Sequence, residues 1–172
     1  SPETKVVDIV LDINKGKKAY FEKIIVTGNR RTRDKVIRRQ LKVYERELYS
    51  GVDLKQSVRN LYRLDYFEDV QVDTYRGSRD DLMILKIDVK EKPTGSFNFG
   101  GGYSSIDNFF LMGSLEQRNL FGRGQTLRFR AQVGGTSDRF TISFTEPWLF
   151  DIPLLAGFDI YNWDREYDDY DK

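Results

Sequence analysis

The chain has 172 residues, no cysteine, no histidine and a formal net charge of +1. The missing cysteines exclude a disulfide framework, a thiolate nucleophile and sulfur-ligated metal, and the missing histidines remove the commonest general base and metal ligand. Balanced charge gives no global field for nucleic acid, and no run approaches the roughly eighteen apolar residues of a spanning helix, so any membrane crossing must use strands.

Residues 1–4, Ser1-Pro2-Glu3-Thr4, have neither the basic nor the apolar region of a signal peptide, and the chain is read as starting within a longer protein. Val7, Ile9, Leu11 and Ile13 then alternate with Asp8, Val10, Asp12 and Asn14, a half-buried strand ended by Gly16. A second strand spans 20–27 and stops at the turn pair Gly28-Asn29. A helix is expected from Thr32, with Asp34 in its first turn against the dipole and Val36, Ile37 and Leu41 as its buried side. The next helix is read with Asp53 as cap and Gln56 three residues on, followed by the stripe Leu54, Val58, Leu61, Tyr62. Strand 67–75 follows, Arg76-Gly77-Ser78 turns the chain, and Met83, Leu85, Ile87 and Val89 mark the returning strand. Two helices on one face of a three-stranded sheet, in the order β-α-α-β-β, make a small viable core. Strand 5–14 is left over, as though it closed a preceding module.

Composition changes at Glu91-Lys92-Pro93-Thr94: ten of the fourteen glycines come later, and aromatic residues become dense. The expected division is 1–16 as the last strand of a preceding module, 17–92 as an α+β domain and 93–172 as an antiparallel sheet. The linker is too short for independent motion. Five strands are read there. Leu127, Phe129, Ala131 and Val133 interleave with Thr126, Arg128, Arg130 and Gln132, and Phe140, Ile142 and Phe144 with Thr141, Ser143 and Thr145. Phe97, Phe99 and Tyr103 alternate with Ser96, Asn98 and glycines; Phe109, Leu111 and Leu115 share one parity; Leu154, Ala156, Phe158 and Ile160 make the fifth. Such a sheet is half a sandwich or the wall of a barrel. Glu116, Arg128, Arg130 and Asp159 on the polar face suit a wet lumen better than a dry core. Leu120-Phe121 and Trp148-Leu149-Phe150 at the turns suit an interfacial girdle. The wall is the favoured reading.

Three other patterns carry less. Gly100-Gly101-Gly102 has no following helix and no Lys-Ser/Thr pair, so it is no phosphate loop and no cofactor site is expected. Arg30-Arg31-Thr32-Arg33 and Arg38-Arg39 lie among acidic residues and read as a solvated or partner-facing surface, with no nucleic acid expected. Asp164, Glu166, Asp168, Asp169 and Asp171 lack the spacing of a calcium loop, and no metal is expected. No residue pair suggests acid–base or nucleophilic work, so an enzyme is the weakest reading.

Ile25-Val26-Thr27-Gly28-Asn29 with Thr32, and Leu61-Tyr62-Arg63-Leu64-Asp65-Tyr66-Phe67-Glu68-Asp69-Val70, resemble the opening and the helix-to-strand signature of a POTRA domain. The run 90–100, Lys90-Glu91-Lys92-Pro93-Thr94-Gly95-Ser96-Phe97-Asn98-Phe99-Gly100, resembles the junction of the last POTRA domain with the first barrel strand in BamA-type outer-membrane assembly factors. Runs 116–124 and 145–150 are similar to the early periplasmic turns of that family. The resemblance spans almost the whole chain. It departs at Asp65, where the signature usually has Gly, and at Arg38-Arg39-Gln40, where relatives often carry Arg-Arg-Glu; neutral Gln40 lacks the carboxylate for an ion pair.

The resemblance implies folding and insertion of β-barrel proteins into the bacterial outer membrane, with the POTRA domain in the periplasm. Implied partners are unfolded outer-membrane clients, accessory assembly lipoproteins and the lipid bilayer. The implied lateral-gate strand is Gly95, Ser96, Phe97, Asn98, Phe99, Gly100, Gly101, Gly102 and Tyr103, whose glycines weaken strand order or merely accommodate curvature. The implied client-binding edge is Phe67, Asp69, Val70, Gln71, Val72, Asp73 and Tyr75, where a client strand would be added; the plainer reading is a charge-guarded edge. Arg38, Arg39 and Gln40 form the implied accessory-protein patch. A membrane barrel needs about 8 strands to close, so five imply part of a larger wall. Two rivals stand: a secretion pore of the same superfamily, and a soluble adaptor of POTRA plus β-sandwich.

Overall fold

The computed structural model describes residues 18–105 and 108–165. Strand β1 (Tyr20–Thr27), helices α1 (Asp34–Arg38) and α2 (Gly51–Arg63), and strands β2 (Phe67–Arg76) and β3 (Leu82–Glu91) follow in the expected order. The strand read over 5–14 lies outside the described residues.

β3 is the middle strand, parallel to β1 and antiparallel to β2. It earns that place with Leu85, Ile87 and Val89, which alternate onto the helix-covered face and are almost wholly buried. In β1 a bulge between Phe21 and Lys23 resets the parity, so Phe21 and Ile24, three residues apart, both enter the core. Val36, Ile37 and Leu61 close it from the helices.

Both helix starts differ from expectation. α1 begins at Asp34, because Thr32 is drawn elsewhere: its N–H donates to Glu91 Oε1 at 2.6 Å, and the Arg33 N–H donates to the Gly122 carbonyl at 3.0 Å. α2 is capped by Ser50, not Asp53; the Asp53 N–H donates to Ser50 Oγ at 3.2 Å. Ser50-x-x-Asp53 is the same kind of cap motif three residues earlier, and Asp53 becomes a first-turn anion. On the stripe, Leu61 is buried, Leu54 and Val58 are partly buried and Tyr62 stays exposed.

The second sheet has five antiparallel strands in sequence order: β4 (Gly95–Ser104), β5 (Asn108–Leu120), β6 (Gln125–Gly134), β7 (Ser137–Glu146) and β8 (Ala156–Arg165). Their registers sort the faces. Phe97, Leu115, Phe129, Ile142 and Ile160 stand opposite one another in a single row, and all are exposed. The next row, on the other face, is Ser96, Glu116, Arg128, Ser143 and Asp159. Within it Arg128 Nε donates to Glu116 Oε2 at 2.7 Å. A sandwich would bury one face against a second sheet; among the described residues the apolar row has no such cover.

Candidate functional site: two open sheet edges and the junction between them

β4 pairs only with β5, and β2 only with β3, so among the described residues each presents one unpaired side of backbone. The residues expected to form a gate strand, Gly95 to Tyr103, all lie on β4. Their glycines are not equivalent. Gly102 faces Phe110, whose ring occupies the space a Cβ would take, a substitution of ring for side chain that orders an edge. Gly100 has open space around its missing side chain.

Phe67, Asp69, Val70, Gln71, Val72, Asp73 and Tyr75 all lie on β2. The edge is partly closed. The Val70 N–H donates to Tyr62 Oη at 3.1 Å, and Tyr62 Oη donates to Asp69 Oδ1 at 3.0 Å. Hydrogen bonds from Gln71 and then Tyr62 hold the Asp69 carboxyl below the usual carboxylate range. Beyond Val70 no such cap stands on the strand. Val72 and Thr74 share the parity of Val70, so their N–H groups point the same way, away from β3.

Between the edges, the linker at Lys92–Thr94 is tied on both sides. The Lys92 N–H donates to the Tyr66 carbonyl and the Arg118 N–H to the Thr94 carbonyl, each at 3.0 Å. Glu91 accepts from the N–H groups of Arg31 at 2.9 Å and Thr32 at 2.6 Å. Burial raises its carboxyl pKa, but hydrogen bonds from Thr32 and the neighbouring backbone outweigh burial and leave it lowered. Thr32 Oγ1 accepts from Asn119 Nδ2 at 2.8 Å, and Asn119 Oδ1 accepts from the Gly124 N–H at 2.9 Å. Thr32 and Asn119 are two of the three buried polar residues among those described, so this is a dry, satisfied network. Asn119 holds φ 56°, a conformation Asn tolerates. Gly122, at φ 69°, has no room for a side chain: a Cβ there would overlap the Arg31 carbonyl.

Asp65 is the second tie. It follows the C-cap of α2 at φ 58°, the place where the POTRA signature carries Gly. Its carboxylate accepts from Lys92 Nζ and, at 2.7 Å, from Arg118 on β5. Those hydrogen bonds, Lys92 first, hold its pKa below the ordinary value.

The three patch residues have separate surroundings. Arg38 donates to the Ile24 carbonyl at 2.9 Å, and the Gln40 carbonyl accepts from Asn60 Nδ2 at 3.0 Å. Arg39 stacks on the Trp148 ring at 5.1 Å and donates to the Arg123 carbonyl at 3.3 Å; burial lowers its pKa. Trp148, read in sequence as part of a girdle, thus faces α1, while Phe121 and Phe150 remain exposed. Sequence reasoning missed the junction set of Thr32, Asp65, Glu91, Arg118 and Asn119. The available signal was a run of residues suited to positive φ, Asn119, Gly122 and Gly124, packed into one short turn. Of the acidic tail, only Asp164 falls within the described residues.

A family model described as "Surface antigen variable number repeat", the POTRA family, matches residues 19–92, and one described as "Omp85 superfamily domain" matches 119–172. The protein of Nitratidesulfovibrio vulgaris named "Outer membrane protein assembly factor BamA" is 34% identical over 172 residues, 100% of this chain and 22% of that protein. Its namesake from Neisseria meningitidis serogroup B is 34% identical over 160 residues, 92% of this chain and 20% of that one. The crystal structure of BamA from Haemophilus ducreyi lacking POTRA domains 1–3 superposes with a TM-score of 0.83 at 27% identity, covering 90% of this chain and 29% of that one. The chain spans about a fifth of the length of the curated relatives it matches.

Proposed function

The chain belongs to the BamA type of the Omp85 superfamily, a POTRA domain joined to barrel strands of the outer membrane, and from that premise we propose that it acts in the assembly of β-barrel proteins there. Relatives named as assembly factors support that role, which is not an enzymatic one. The observation that supports the finer reading is that β4 is the first strand of a sheet with one apolar and one polar face and, among the described residues, is paired on one side only. A client strand pairing with it would gain main-chain hydrogen bonds while placing its own alternating side chains toward lipid and lumen. Gly100, with open space where a side chain would pack, is the point at which that strand would loosen most readily. On the periplasmic side, the stretch of β2 beyond Val70 would receive clients by strand addition. The Arg38, Arg39, Gln40 patch gains less support as an accessory-protein site, since Arg39 is engaged on Trp148.

The chain has no cysteine of its own to compete with one placed on the sheet, and any cysteine elsewhere in the parent is first replaced. Asn98→Cys on β4, set in the intact parent protein in its own outer membrane, should form a disulfide with a stalled client bearing a cysteine in its last strand. Capture at Ser143→Cys in the sheet interior should be absent. Equal capture at both positions, or none at β4, would remove the gate.

A further inference from the structure

Between α1 and the turns after β5 and β7 lies a cleft of ≈ 320 Å³ that neither open edge uses. Arg33, Lys35, Arg39 and Arg123 line it against only Glu146 and Asp151. Lys35 is paired with Asp151 at 2.6 Å and Arg39 stacks on Trp148. The side chains of Arg33 and Arg123 have no hydrogen-bond or ion-pair partner among the described residues. Both line the cleft, and their backbones are held close because the Arg33 N–H is bonded to the carbonyl of Gly122, the residue before Arg123. Arg39 adds a spare donor: its Nε is buried and lacks a partner among the described residues.

One exposed ring, Phe150, lines the cleft with these cations, and a second, Phe121, stands two residues before Arg123. Phe150 is 84% exposed at φ 57°, and Phe121 in the neighbouring turn is 78% exposed at φ 52°. A bulky residue at positive φ is costly, and a ring held that way in water has gained nothing in return. Leu155, 70% exposed, lies in the same connection between β7 and β8 as Phe150. Unpaired arginines beside exposed aromatic rings match the two halves of a membrane interface: guanidinium forks bind phosphate oxygens, and rings settle at headgroup level.

We propose that this cleft binds the phosphate headgroup of an anionic phospholipid. The proposal rests on the membrane reading of the sheet and adds a ligand to it. A headgroup seated there would touch α1 and both turns at once, and so would fasten the POTRA domain to the membrane rim through lipid as well as through protein.

The test uses the whole chain in zwitterionic micelles, with Trp163→Phe leaving Trp148 as the fluorescent reporter. It is titrated with short-chain phosphatidylglycerol, phosphatidylcholine and inorganic phosphate. Phosphatidylglycerol should bind saturably and more tightly than the other two, less so at high salt. Arg33→Gln with Arg123→Gln should weaken it about fivefold per cation, on the order of twentyfold together. Arg59→Gln with Arg63→Gln, exposed on α2, should leave it unchanged. Equal binding of phosphatidylcholine, equal binding of inorganic phosphate, or equal loss in the α2 variant would overturn the site. Circular dichroism of the same samples separates the failures. A β-signal no greater in micelles than in buffer sinks the membrane reading and this proposal with it; β-signal gained in micelles without a phosphatidylglycerol preference sinks this proposal alone.

Discussion

Asp65 carries two roles that pull in opposite directions. At φ 58° the backbone would be better served by Gly, yet only the carboxylate ties Lys92 to Arg118. Its pKa is lowered in the folded state, so the tie is fully formed above the ordinary carboxylate range and is lost as pH falls through the depressed value. Spin labels on α2 and β6 should therefore report a narrow distance distribution at neutral pH that broadens on acidification. Asp65→Asn should be broad already at neutral pH, and whatever acid response it keeps belongs to Glu91 and to Asp151 on Lys35, both also lowered. A variant as narrow as the parent would end this account. Asn119 tests the dry side of the same junction. Asn119→Ala leaves Thr32 Oγ1 and the Gly124 N–H without their partner. It should cost about 1–3 kcal/mol in chemical denaturation. Both residues were present in the sequence as motif letters, but nothing along the chain says that position 65 meets 118 or that 32 meets 119.

Among the elements, β2 separates what periodicity reveals from what it hides. Alternation placed its polar set outward, and the strand stands at the sheet edge. That Tyr62 caps the Val70 N–H could not be read, because Tyr62 belongs to the helix stripe and looks like one more core residue. If strand addition uses the open stretch, Thr74→Pro should abolish cross-linking of clients to β2. Proline there removes a donor that points away from β3 and so spares the internal ladder. Unchanged circular dichroism with unchanged client capture would show that clients use another surface. Both helix starts were misjudged for a related reason: Thr32 is claimed by Glu91 and Asn119, and Ser50 was passed over for an equally good cap at Asp53. Local preference neither ranks Ser50 above Asp53 nor foresees that a distant carboxylate takes up Thr32.

For the molecule as a whole, the two faces of the large sheet make a solvent prediction. Phe129 lies in the apolar row and Gln132 on the polar face. Phe129→Arg should hinder insertion into vesicles by about 2–4 kcal/mol if it sits near the midplane, while Gln132→Arg should be tolerated. Partition between buffer and lipid, with circular dichroism for β-structure, measures both. A soluble, cooperatively folded C-terminal part would instead favour the adaptor. By itself the sequence determined the element order, the strand parities and the polar and apolar faces, because those depend on side chains two to four residues apart along the chain. The tertiary structure alone decided which described strands stand at the sheet edges, that Arg39 turns to Trp148, and that two turns of the sheet lock onto the POTRA domain. Those contacts join residues as much as 116 positions apart, as Lys35 and Asp151 are, and no local periodicity carries such pairings.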